Sequence, residues 1–210
     1  MQSKLQTFFP KLEETIQIAQ MLPVKEERKA TLNVLIQYIQ QKLEQGQEVN
    51  LNFICTHNSR RSQFSQIWAK TAAELYGIPV NSYSGGVEVT ALNIRAVNSL
   101  QRSGFKISEK ENGSNPLYSV FFSETSEPIL AFSKVFDDPA NGAKHFAAVM
   151  TCDHADENCP FIPGTEQRIP VRYEDPKAFD DTEMESEKYD ERSLQIASEM
   201  LYVFSQINKA

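Results

Sequence analysis

Cys55-Thr56-His57-Asn58-Ser59-Arg60-Arg61-Ser62 stands between two unlike hydrophobic patterns. Upstream, Val49, Leu51, Phe53 and Ile54 read as a short strand, and downstream Phe64, Ile67, Trp68, Thr71 and Leu75 recur at helical spacing. A strand, a tight loop and a helix N-terminus in that order form an anion cradle, because the loop amides and the helix dipole point at one spot. A cysteine there suits attack on a tetrahedral oxyanion, since a thiolate is strongly nucleophilic once its pKa is lowered. The Arg61 guanidinium offers a planar fork for two oxygens, which a lysine lacks. The Ser62 hydroxyl, next to the helix start, is placed to donate to the thiolate, and Thr56, His57, Asn58, Ser59 and Arg60 complete the oxyanion-binding set.

The bulk numbers narrow the setting. A chain of 210 residues is long enough to bury a substantial core. Its net charge of −7 argues against nucleic acid or an anionic membrane as partner. No apolar run approaches the roughly 20 residues a membrane span needs. Met-Gln-Ser-Lys-Leu-Gln at the N-terminus lacks the basic and apolar regions of a signal peptide, so a cytoplasmic location is expected. Cysteines there stay reduced unless they serve catalysis or redox sensing, and three of them, an odd number, make a poor static disulfide framework.

Residues 1–46 read as an N-terminal helical hairpin extension. Leu5, Phe8, Leu12, Ile16 and Ala19 form one stripe and Leu32, Leu35, Ile39 and Leu43 another, with Leu22-Pro23-Val24 between them and Gly46 as the stop. Residues 47–210 read as the main domain, in which strands and helices alternate. Val80–Ser84, Phe146–Met150 and Ile169–Tyr173 are predicted strands, and Asn93–Ser103 a helix. Leu117–Phe122 and Ile129–Phe136 suggest a hairpin-like excursion, and Thr182 to Glu185 a capping box opening a C-terminal helix. The alternation predicts an open, doubly wound parallel α/β sheet with ligands at the carboxyl ends of its strands.

Two further constellations fall at that edge. Cys152 follows a predicted central strand, and Cys159-Pro160 comes seven residues later, about 10 Å away if the segment is helical. That exceeds the reach of an unstrained disulfide, so any bridge requires the segment to unwind. A zinc site from His145, Cys152, His154 and Cys159 matches no common ligand spacing, and no metal is expected. The third constellation is a carboxylate suited to proton transfer, Asp175-Pro176, with Asp138-Pro139 as a competing candidate that spacing alone does not eliminate.

Together these residues resemble the low-molecular-weight protein tyrosine phosphatases and the thioredoxin-coupled arsenate reductases built on the same fold. The likeness covers roughly residues 49–208 and includes Trp68-Ala69-Lys70 and Tyr83-Ser84-Gly85-Gly86-Val87-Glu88. It implies that Asp175 is the acid, and that Cys55 attacks arsenate while Arg61 holds the oxyanion. It further implies that Cys152 and then Cys159 pass a disulfide outward to thioredoxin as external reductant, with no bound cofactor. The alternatives are a phosphatase acting on phosphotyrosine or small phosphomonoesters through a Cys55 phosphoenzyme, and a non-catalytic oxyanion-binding or redox-sensing protein. Two loop residues depart from the reductase form: His57 replaces a glycine that would reach φ > 0 cheaply, and Arg60 replaces a small or sulfur-bearing residue. Both are expected to narrow the pocket or strengthen its positive field.

Overall fold

The computed structural model describes residues 8–111, 113–142, 144–158 and 161–208. Two helices come first, α1 (Pro10–Met21) and α2 (Glu26–Glu44). Gly46 closes α2 at φ 64°: its N–H bonds the Leu43 carbonyl at 3.0 Å and the Gln47 N–H bonds that of Lys42 at 2.9 Å. This paired closure needs a left-handed residue, which glycine adopts without strain. Leu12, Ile16, Leu32, Leu35 and Ile39 are fully buried in the same core as the sheet. Each of these side chains contributes about 2 kcal/mol by leaving water. Leu5, the first member of the first stripe, lies outside the described residues.

The chain then runs β1 (Asn50–Cys55), α3 (Arg61–Tyr76), β2 (Asn81–Gly86), α4 (Ile94–Arg102), β3 (Lys106–Glu111), β4 (Leu117–Phe121), β5 (Ile129–Ala131), β6 (Phe146–Met150), α5 (Asp153–Asn158), β7 (Thr165–Pro170) and α6 (Glu185–Ser205). Four strands form a parallel sheet in the order β2-β1-β6-β7. The fold is therefore the predicted α/β class. Alternation along the strands splits the core between two faces. Leu51, Phe53, Ala147 and Val149 join the large cluster with Trp68, Leu35 and Met200, whereas Ile54, Ala148 and Met150 join a smaller one with Ala155 of α5.

This order positions the site. From β1 the chain passes to β2 on one side and later to β6 on the other, so the crevice beyond β1 and β6 is a topological switch point. Cys55 is the last residue of β1, opposite Gly86 of β2, and Cys152 lies two residues past the end of β6.

Three local expectations are corrected. The excursion is a three-stranded antiparallel sheet, β3-β4-β5, rather than a hairpin. Its edge strand β3, Lys-Ile-Ser-Glu-Lys-Glu, is exposed apart from half-buried Ile107, so it carries the charges of a protected edge instead of an alternating pattern. The last parallel strand runs over Thr165–Pro170, not Ile169–Tyr173. There Glu166, a charged residue within the strand, accepts from Tyr38 Oη at 2.7 Å and Lys42 Nζ at 2.7 Å. The capping box is not formed: α6 begins at Glu185 behind Met184, and the Thr182 hydroxyl donates to the Phe179 carbonyl. Glu185 instead accepts the Asp181 N–H at 2.7 Å and pairs with Arg95 at 2.6 Å.

Candidate active site

The loop between β1 and α3 is held by a side-chain network centred on Asn58. That residue takes φ 47°, so the left-handed position falls on Asn58 and not on His57 as the sequence suggested. Asparagine tolerates this region better than most residues. Asn58 Oδ1 accepts the Lys134 N–H at 3.0 Å and Gln63 Nε2 at 3.1 Å, which orients its amide. Asn58 Nδ2 then donates to Ser62 Oγ at 2.8 Å, and Ser62 Oγ lies 3.0 Å from Cys55 Sγ. The Ser62 hydroxyl thus accepts from Asn58 and stands within hydrogen-bond reach of the sulfur, with either atom able to donate. Gly86 lets the end of β2 pass under the loop. A Cβ there would come within 2.8 Å of Asn58 N and 2.9 Å of the Thr56 carbonyl, a clash with backbone on both sides.

The two arginines are not equivalent. Arg61 Nη1 donates to the Tyr173 carbonyl at 3.0 Å and Nη2 to Asp175 Oδ2 at 2.8 Å. Its buried Nε has no hydrogen-bond partner among the described residues, a donor suited to an oxyanion oxygen. Arg60 instead turns wholly to Asp175, with Nε 2.8 Å from Oδ1 and Nη2 3.3 Å from Oδ2. Burial pushes the Asp175 carboxyl up. The Arg60 hydrogen bond and the charges of Arg61 and Arg60 more than offset it and hold the group below the usual carboxylate range. The expectation that Arg60 adds to the pocket's positive field is thus corrected, because its charge is met by a carboxylate. His57 likewise faces Glu88, Nε2 to Oε2 3.5 Å.

Of the two Asp-Pro candidates, both cap short 3-10 turns: Asp138 accepts the Ala140 N–H and Asp175 the Lys177 N–H. Asp175 also meets the loop arginines. The Tyr173 N–H bonds the Thr151 carbonyl at 3.1 Å, which draws this segment along the end of β6 toward the loop.

Cys55 and Cys152 are free thiols, both buried, in the same small core cluster. Thr56 Oγ1 connects their loops, lying 3.5 Å from Cys152 Sγ and 3.3 Å from His154 Nδ1. Cys152 Sγ also accepts the Ala155 N–H at 3.4 Å. Residues 153–158 between the second and third cysteines are helical, and Cys159 lies outside the described residues. Among the described residues no cluster of His, Cys, Asp or Glu is placed to hold a metal ion, and no helix is long and apolar enough to cross a membrane.

Sequence reasoning missed the supporting segment Phe132-Ser133-Lys134. The Ser133 hydroxyl donates to the His57 carbonyl at 2.8 Å, Gln63 Nε2 donates to the Phe132 carbonyl at 2.7 Å, and Lys134 holds Asn58 as described. One signal for it existed: a Ser133-Lys134 pair interrupting the apolar residues of Leu130–Phe136.

A buried cysteine at a parallel-sheet switch point, beside the start of α3 and an arginine whose Nε has no hydrogen-bond partner among the described residues, places a thiol and a cation together at the carboxyl edge of an α/β sheet. Comparison with known proteins narrows the reading. No family model matches the chain. It is 31% identical over 133 residues to the arsenate reductase of Bacillus licheniformis, covering 63% of this chain and 78% of that protein. It is 30% identical over 124 residues to arsenate reductase 1 of Staphylococcus saprophyticus, covering 59% of this chain and 76% of that protein. A low molecular weight phosphotyrosine phosphatase of Vibrio cholerae superposes over 75% of this chain and 94% of its own, with a TM-score of 0.49 at 13% identity. The chain belongs to the arsenate reductase family and is an enzyme of that type.

Proposed function

We propose that this enzyme reduces arsenate to arsenite through a three-cysteine disulfide cascade recycled by thioredoxin. The observation that carries the reading is the second buried thiol, Cys152, brought to the Cys55 loop through Thr56. A phosphatase needs Cys55 but has no task for Cys152.

The steps balance as follows. The Cys55 thiolate attacks arsenic(V) of arsenate and displaces hydroxide, which leaves as water once protonated. Arg61, with its unpartnered Nε, holds the oxyanion, and Ser62 steadies the sulfur. The Cys152 thiolate then attacks Cys55 Sγ. The S–S bond forms, the S–As bond breaks, and its electron pair stays on arsenic, so arsenite departs as arsenic(III) while two thiols become one disulfide. Cys159 attacks Cys152 in turn and frees the Cys55 thiolate, leaving a Cys152–Cys159 disulfide. Thioredoxin supplies the two electrons that reduce it. Seven residues of regular helix span about 10 Å, beyond disulfide reach, so the second exchange calls for the helix over residues 153–158 to unwind.

Phosphoester hydrolysis through Cys55 is disfavoured by Asp175. A carboxylate held ionised by two arginines is a poor donor to a leaving alkoxide. The test is a coupled assay with arsenate, thioredoxin and thioredoxin reductase. The native protein should turn over repeatedly, and Cys152→Ser and Cys159→Ser should each lose multiple turnover. Undiminished turnover in either variant sinks the cascade.

A further inference from the structure

We propose that Arg28 of α2 is a positioning residue of the oxyanion site, clamping the stretch of main chain that aims Arg61. This rests on the reading of Arg61 as the oxyanion holder, and it gives the N-terminal helices a part in substrate binding.

The Arg28 guanidinium is engaged at all of its nitrogens. Nε and Nη2 donate to the two carboxylate oxygens of Glu199 in α6, at 3.0 and 2.6 Å, and Nη1 donates to the Arg172 carbonyl at 3.1 Å. Its Cζ also lies 5.0 Å from the centre of the buried Tyr173 ring, a cation–π contact. Glu199 is itself buried and accepts from Gln195 Nε2 at 3.1 Å, which fixes the carboxylate against which the fork is set. Arg28 thus grips the Arg172–Tyr173 segment by both main chain and ring.

The consequence passes through two successive peptide units. The C=O and N–H of a trans peptide point in opposite directions across a rigid plane. In the unit joining Arg172 to Tyr173, Arg28 holds the C=O, and the N–H bonds the Thr151 carbonyl at 3.1 Å. That plane is therefore pinned between α2 and the end of β6. The next unit presents the Tyr173 carbonyl to Arg61 Nη1 at 3.0 Å, and Asp175 Oδ2 accepts from Nη2 at 2.8 Å. With both Nη atoms held, Arg61 keeps one orientation, in which Nε has no partner among the described residues and is left for an oxyanion oxygen. A buried ion pair by itself is a weak source of stability, because desolvation offsets much of its attraction. A lysine at position 28 would neutralise Glu199 as well, but one ammonium lacks the fork that meets Glu199 and the Arg172 carbonyl together. What the arginine adds is the hold on the main chain.

The test is calorimetric titration of the full chain with inorganic phosphate, an inert analogue of arsenate. Arg28→Lys keeps the charge opposite Glu199, so the melting temperature should stay within a few degrees of native while phosphate binding weakens about tenfold. In an Arg61→Lys background there is no fork to aim, and the same substitution should cost less than about twofold, since residues that act through one another are not additive. Arg28→Met combined with Glu199→Met removes the pair without stranding a buried charge, and should reproduce the loss of affinity in a folded protein even where the lysine variant folds poorly. Native affinity in both the lysine and the paired methionine variants overturns the proposal. An equal loss in the two Arg61 backgrounds reduces Arg28 to a structural residue and overturns it as well. Arg61→Lys binding phosphate as tightly as the native protein would instead remove the role of Arg61 on which the proposal rests, and a native protein that binds no phosphate would overturn the oxyanion-loop reading itself.

Discussion

Cys55→Ser is expected to lower arsenate turnover by about five orders of magnitude or more, while leaving the fold and the binding of inert oxyanions in place. A serine at the end of β1 would meet the Ser62 hydroxyl, which accepts from Asn58 and stands within hydrogen-bond reach of position 55. That neighbour stabilises an anion already formed and cannot remove the proton of a serine. A thiol needs no such help, because sulfur is intrinsically far more nucleophilic than a hydroxyl oxygen and a thiol far more acidic than an alcohol. Oxygen also cannot carry the exchange, since no S–S bond can form with Cys152. Residual turnover should fall to background in the coupled assay, with the melting temperature within a few degrees of native. Substantial turnover in this variant would place the chemistry elsewhere.

Arg60→Ala is the second large effect, and its sign is opposite: a gain of activity. Arg60 makes two contacts to Asp175 and is the principal hydrogen-bonding cause of that carboxyl's depressed pKa. Removing it leaves the Arg61 contact at 2.8 Å and lets the Asp175 pKa rise toward its ordinary value of 3.8. More of the acid form is then present at any given pH. Hydrolysis of an alkyl phosphomonoester, whose leaving alkoxide needs a proton, should increase about tenfold. An aryl phosphate with a stable leaving group should change far less. In kcat/KM against pH, the limb that reports protonated Asp175 should move to higher pH. An unmoved limb with unchanged substrate ratios would mean that Arg60 does not set the protonation of Asp175. On the proposed mechanism, the native pairing would suppress phosphoester hydrolysis by keeping Asp175 ionised.

What the sequence disclosed and what it concealed follow from the range of the interactions involved. The Cys55-to-Ser62 loop was legible because strand, loop and helix are contiguous, and periodicity marks both flanks. Phe146–Met150 was legible because a strand buried on both faces reads as an unbroken apolar run. The edge strands β3 and β7 were not: β3 is polar and exposed, and Glu166 of β7 finds its partners, Tyr38 and Lys42, more than a hundred residues away in the chain. The roles of Arg60 and Arg28 depend on the same kind of distant contact. Nothing local says that Arg60 meets a carboxylate 115 residues on, or that Arg28 reaches the Arg172 carbonyl 144 residues on. Replacement of a glycine draws attention to position 57, whereas the left-handed residue is Asn58, whose side chain also bonds Ser62.

The central claim is that Cys152 takes over the sulfur of Cys55 and leaves two electrons on arsenic. Cys159→Ser stops the cascade after that step and exposes it. The reduced variant, given one equivalent of arsenate without thioredoxin, should release about one arsenite per chain and stop. Peptide mapping by mass spectrometry should then find Cys55 joined to Cys152. Arsenite released with both thiols still free, or a chain that retains neither product nor disulfide, would contradict the account.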